Sequence, residues 1–179
     1  MAIERAFFYH RAIVRWAAIV SALWVAGCGW QLQGQSALPA SIESIQVRSM
    51  TDQRLLGYEI VRQLKATQVT VVDSTADADV VLEILQDRWE QELVSVGLNG
   101  KAQEYGVLMR AAFRVSRHGE TVLPAQNLVL RRVYIVDPQN ELSNEWRVLE
   151  LVDTLRVDMA RTVIRRLRAL EQADADFAR

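Results

Sequence analysis

Tyr105-Gly106-Val107-Leu108-Met109-Arg110-Ala111-Ala112-Phe113-Arg114-Val115-Ser116 is the stretch whose pattern decides the fold. Tyr105, Val107, Met109, Ala111, Phe113 and Val115 take every second position, and Arg110, Arg114 and Ser116 fall between them. Side chains of a strand alternate between two faces, so this spacing predicts a β-strand with one face in a core and the other in water. Turn chemistry brackets it. Before it stands Gly97-Leu98-Asn99-Gly100, in which Asn-Gly tolerates positive φ and so suits a hairpin; after it comes His118-Gly119. The strand ahead of the first turn starts at Val80 and runs through Trp89 towards Val96, with a bend or bulge expected near Asp87. The strand beyond the second turn covers Leu128 to Val136 and carries Arg131 and Arg132. Three consecutive strands joined by tight turns make an antiparallel meander.

Working outward, Asp137-Pro138-Gln139-Asn140 breaks the sheet. Val148, Val152, Leu155, Met159, Val163, Leu167 and Leu170 then recur at threes and fours, which predicts a long helix from about Leu142 to Leu170. Arg161, Arg165, Arg166 and Arg168 gather in its expected last turns, where cations complement the negative end of the helix dipole. The tail, residues 172–179, is small and charged and is expected to fray. Towards the amino end, Ala76 to Asp79 reads as a polar turn. Ile42, Ile45 and Val47 predict a strand over about 42–48, and Gln68 to Val72 another. Between them Leu56, Ile60 and Leu64 form one helical stripe ending near Lys65, with Thr51 or Asp52 available as its cap. Strand, helix, strand in this order points to a βαβ unit.

The first residues carry an address. Arg5, Arg11 and Arg15 precede the apolar run Trp16 to Ala26, which is too short to span a bilayer because a spanning helix needs about 20 residues. The run closes on Val25-Ala26-Gly27-Cys28, a lipobox. Residues 1–27 are therefore expected to be a lipoprotein signal peptide, Cys28 the acylated first residue, 28–41 a tether and 42–171 one folded domain. Each buried CH₂ of an acyl chain is worth about 0.8 kcal/mol, so two or more palmitate-type chains hold a protein on a membrane. Gly29, in place of an Asp after the cysteine, matches the usual sorting pattern for the outer membrane.

Removing the leader with its three arginines and Glu4 leaves 18 basic and 21 acidic residues, a balance that argues against nucleic acid as a partner. Cys28 is the only cysteine, so it has no intramolecular disulfide. No nucleophile elbow, P-loop, dinucleotide fingerprint or metal-spaced cluster occurs, and His118 is the sole histidine beyond the leader. A non-enzymatic domain without cofactor or metal is the expectation. Its candidate ligand-binding residues are Lys101 in the hairpin turn, Arg110 and Arg114 on the wet face, and Arg131 and Arg132 on the next strand. Solvated rim charge explains them, and so does recognition of the phosphates of an anionic ligand, for which Arg is well suited.

Taken together, several stretches resemble the lipopolysaccharide-assembly lipoprotein family LptE, also called RlpB. They are Cys28-Gly29-Trp30-Gln31-Leu32, Leu38-Pro39 with Ile42 and Ile45, Asn99-Gly100 leading to Glu104-Tyr105, and Arg132-Val133-Tyr134. Asp137-Pro138 opening into Leu142, then Leu155, Asp158-Met159-Ala160, Ile164 and Arg166-Leu167, complete the set. The resemblance implies an α+β two-layer sandwich, with a mostly antiparallel four-stranded sheet and two helices packed on one face. Since the residues themselves offer five strand segments, one short early strand is expected to merge or fail to form. The resemblance further implies an outer-membrane plug for the β-barrel protein LptD that binds lipopolysaccharide and helps its insertion. Gln33 stands where the family commonly has a basic residue, and Leu98 and Asn144 lie where some members carry cations tied to lipopolysaccharide binding, Lys101 and Arg147 being the nearest here. Two other functions fit the same features: a periplasm-facing lipoprotein that docks a protein partner, and a lipid carrier with an internal pocket.

Overall fold

A computed structural model of the chain describes residues 42–67 and 69–177, with side chains as far as Leu170. The expected signal peptide, the expected acylation site at Cys28, the expected tether and Gln68 lie outside the described residues. In chain order the elements are β1 (Ser44–Ser49), α1 (Leu55–Leu64), β2 (Thr70–Val71), a 3₁₀ turn (Thr75–Asp77), β3 (Val80–Val96), β4 (Ala102–Arg117), β5 (Glu120–Ile135) and α2 (Glu141–Phe177).

The strands form one sheet in the order β2-β1-β3-β4-β5. β1 runs parallel to both β2 and β3, while β3, β4 and β5 are the antiparallel meander. The expected four-stranded sheet is thus corrected to a mixed five-stranded one. The short early strand does form, because the crossover through α1 returns the chain parallel to β1. Thr70 N–H then donates to Glu43 O at 3.1 Å and Val72 N–H to Ile45 O at 3.0 Å.

The alternation in β4 sets the layers. Val107, Met109, Ala111, Phe113 and Val115 are at most 1% exposed, beneath Leu56, Ile60 and Leu64 of α1 and Val152, Leu155, Met159 and Val163 of α2. Both helices lie on this face, and among the described residues no element covers the other. α2 has 37 residues and β4 has 16, so each spans about 55 Å at 1.5 Å per helical residue and about 3.4 Å per strand residue. α2 is thus as long as the strands it packs on, and its buried residues run from Val148 to Leu167.

A bulge lies close to where the sequence places one. Ile84 pairs with Phe113 and Gln86 with Ala112, leaving Leu85 as the extra residue. Below it the even positions of β3 face the helices; above it, as far as Leu93, the odd ones do, so Asp87 stands opposite Ala111 on the helix side. There its Oδ2 accepts the main-chain N–H of Leu56 at 3.0 Å. Asp87 thereby takes the capping role expected of Thr51 or Asp52: the residue at the N-cap is Arg54, whose side chain makes no capping bond, and Thr51 Oγ1 donates instead to Gln53 O.

Two further expectations are corrected. β5 begins at Glu120, well before Leu128, directly after a turn in which His118 (φ 49°) and Gly119 (φ 86°) are both left-handed. Pro124 falls in an irregularity of its ladder, between Leu123, paired with Val115, and Gln126, paired with Phe113; β5 is an edge strand, where proline costs no sheet hydrogen bond. α2 continues to Phe177, so Arg161, Arg165, Arg166 and Arg168 are interior to it and do not complement its end. Arg161 pairs with Asp158 at 3.3 Å, Arg165 donates to Thr162 Oγ1, and Arg166 reaches Gln126 Oε1 on β5.

Candidate functional site

Register decides which of the sequence-predicted cations share a surface. Even positions of β4 face away from the helices, which puts Arg110 and Arg114 on the open side; Arg131 pairs with Leu108 and joins them. Arg132 pairs with Val107 and so points to the helix side, where its Nη2 donates to Asp158 Oδ2 of α2 at 2.9 Å. Lys101 lies at the far end of the sheet in the β3–β4 turn, beside an open cavity of about 440 Å³ with Leu98, Val136 and Pro138. Three of the five candidates therefore come together, one caps the end of their surface, and one ties the sheet to α2.

Each of the three is met by a carboxylate from β3. Arg110 Nε donates to Glu90 Oε1 at 2.7 Å, Arg114 Nε to Glu83 Oε2 at 2.6 Å, and Arg131 Nη2 to Glu92 Oε1 at 2.7 Å. Arg48 of β1 approaches the same Glu83 at 3.9 Å, and Arg88 stands across the ladder from Arg110. The hydrogen bond from Arg110 holds the Glu90 carboxyl below its ordinary range, and the bond to Glu83 raises the Arg114 guanidinium. Arg131 reaches Glu92 by crossing the intervening strand over Gly106. A Cβ there would stand 2.9 Å from Arg131 Nε and 3.3 Å from Glu92 Cγ, so the glycine provides the passage.

This lattice covers Leu108 and Ala112, which are 6% and 9% exposed on a face that no helix among the described residues covers. The stems of the arginines do the covering while their heads stay wet. The half-exposed pairs Arg110–Glu90 and Arg131–Glu92 are each worth about 0–1 kcal/mol, so an anionic ligand that offers a better oxygen pair can replace either carboxylate at little cost, whereas Glu83 is buried and keeps Arg48 beside it. Among the described residues no group of three or more His, Cys, Asp and Glu side chains is arranged to hold a metal.

Glu83, Glu90 and Glu92 are the members of the site that the sequence reading does not single out. The signal for two of them is the hairpin itself, whose ladder puts Glu90 opposite Leu108, two residue pairs from Arg110 and on the same face, and Glu92 opposite Gly106. Glu83 lies beyond the bulge, where the count changes by one.

Fold and face together define a class: a two-layer α+β domain with a mixed sheet, helices on one side, and a long open face laced with Arg–Glu pairs. The sequence model of the LptE lipopolysaccharide-assembly family matches residues 42–167. The chain belongs to the LptE family. It is 28% identical over 156 residues to the LPS-assembly lipoprotein LptE of Yersinia pestis strain Pestoides F, a match that covers 87% of this chain and 75% of the relative. Its fold is similar to that of rare lipoprotein B from Shewanella oneidensis (TM-score 0.64, 21% identity, 76% of this chain and 99% of that one). It is similar also to lipoprotein B from Nitrosomonas europaea (TM-score 0.70, 21% identity, 83% and 96%).

Proposed function

We propose that this protein is an outer-membrane lipoprotein, anchored through acylated Cys28, that occupies the lumen of the LptD β-barrel and assists the transport and surface insertion of lipopolysaccharide. The observation that carries this reading is the open face of the meander: strands of 16 and 17 residues present charged pairs in place of a second helical layer. A wide barrel has a polar interior that needs filling, and a rigid domain some 55 Å long with a polar side suits it. Family membership and the name of the Yersinia relative, an LPS-assembly lipoprotein, support the same reading.

Within this reading Arg110, Arg114 and Arg131 exchange their β3 carboxylates for phosphate or for carboxylates of the barrel wall, with Lys101 adding a cation at the end of the face. Arg132 is engaged by Asp158 of the helical layer and contributes to docking of α2. Purification of the full lipoprotein from native envelopes in mild detergent tests the proposal. One large β-barrel protein is expected to accompany it in constant ratio, and the Arg110→Ala, Arg114→Ala double variant is expected to fold normally but retain less barrel or glycolipid. Recovery of the chain alone, or only with soluble periplasmic proteins, refutes the plug. Equal retention by the double variant refutes this choice of residues.

A further inference from the structure

We propose that the outer edge of β1 is a second binding site, a groove for an extended segment of a partner protein whose acidic side chains flank a small apolar one. The proposal stands on a different surface from the open face and does not depend on the barrel reading.

The edge is only half covered. β2 pairs with β1 at Ser44 and Ile45 and then ends, so beyond that point no described strand lies beside β1. Main-chain direction follows from the hydrogen bonds that do form. Glu43 and Ile45 offer their carbonyls outward to Thr70 and Val72, whereas Met50 N–H turns inward to Ile84 O at 2.9 Å. Residues alternate along a strand, so the N–H and C=O of Val47 and Ser49 face outward, in line with where β2 would continue. An uncovered strand edge of this kind is a template for one more strand.

α1 supplies the wall. Arg54, Tyr58, Val61 and Lys65 recur at fours and threes, share one side of the helix, and line with β1 a groove of about 640 Å³. Tyr58 is 65% exposed there, at the centre of the wall. Arg54 and Lys65 bring positive charge to the groove and Asp73 a carboxylate, on a chain whose net charge is −1. Unlike the arginines of the open face, neither Arg54 nor Lys65 has a carboxylate partner among the described residues.

The spacing specifies the occupant. Arg54 and Lys65 are about 16 Å apart along the helix at 1.5 Å per residue. Two acidic residues four apart on a strand share one face and lie about 13 Å apart, a difference their flexible side chains close. The residue midway between them faces Tyr58 and Val61. A free phosphate could meet the cations, but it would leave the strand edge and the apolar wall unused; an acid-x-apolar-x-acid segment meets all three.

The test uses the full chain in detergent micelles and a labelled, N-acetylated five-residue peptide of glutamate, threonine, valine, threonine and glutamate, read by fluorescence anisotropy. Saturable binding is expected, weakened roughly tenfold or more in the Arg54→Glu, Lys65→Glu double variant, as for truncated or reversed charge pairs at interfaces. The same peptide with lysine in place of both glutamates is expected to bind the double variant and not the parent. Ser49→Pro removes an outward N–H of β1 and is expected to weaken both pairs, with circular dichroism confirming its fold. Where that variant does not fold, the charge exchange alone decides. Indifference to charge reversal, equal binding of the lysine peptide by the parent, or displacement by inorganic phosphate as effective as by unlabelled peptide would each overturn the groove as a strand site.

Discussion

Asp87 is 7% exposed, and its carboxylate caps a helix by accepting the N–H of Leu56, 31 residues before it in the chain. Burial pushes its pKa up from the ordinary carboxylate value, the bond from Leu56 N–H and the charge of Arg156 opposing this in part. Asp87→Ala leaves the Leu56 N–H buried without an acceptor and removes the cap. A loss of about 1–2 kcal/mol in denaturant unfolding is expected. Asp87→Asn keeps an oxygen acceptor and removes the charge. Because the folded state holds the proton more tightly than the unfolded chain, the wild type's advantage is full below the unfolded pKa and declines as pH rises through the folded one. Urea midpoints across that window should therefore fall for the wild type relative to Asp87→Asn. A constant difference would show that the carboxyl is not buried as described. None of this is legible locally, since Thr51 and Asp52 offer better capping chemistry by position, and only the extra residue Leu85 brings Asp87 round to the helix side.

Elements were legible in proportion to how strictly one period governed them. β4 is flanked by strands on both edges and covered by helices on one face, so its alternation is unbroken and gave both the core and the wet side. The first half of β5 carries Pro124 and little apolar periodicity, which reads as loop; edge position is what permits it to be strand. Likewise the end of α2 lacks a glycine or proline stop but also lacks large apolar residues at helical spacing after Leu170, and so resembles a tail. α2 itself offers a test of face assignment. Leu155 is 1% exposed and Leu149 is 52% exposed on the same helix. Leu155→Ala should cost about 2–5 kcal/mol through lost burial and a cavity. Leu149→Ala should stay within about 0.5 kcal/mol in the isolated chain. Similar unfolding midpoints for the two variants would contradict the assigned packing.

At the scale of the whole molecule, a helical layer and a sheet of equal length leave one broad face to solvent, and that face is ordered by charge rather than closed by apolar contact. The wet arginines were visible in the spacing of β4. Their glutamate partners were not, because pairing depends on hairpin register and on the bulge, and the split between Arg131 and Arg132 required knowing which face of β5 meets α2. Under the proposed function this face lies against the inside of a β-barrel. Val129, 51% exposed and paired with Arg110 at the middle of the face, is the position from which to test it. A photo-crosslinking amino acid placed at Val129 in the full lipoprotein, illuminated in intact cells and analysed by mass spectrometry, should yield one dominant adduct with a large outer-membrane β-barrel protein. Adducts with soluble periplasmic proteins alone, or none from chain shown to reside at the outer membrane, would contradict the account.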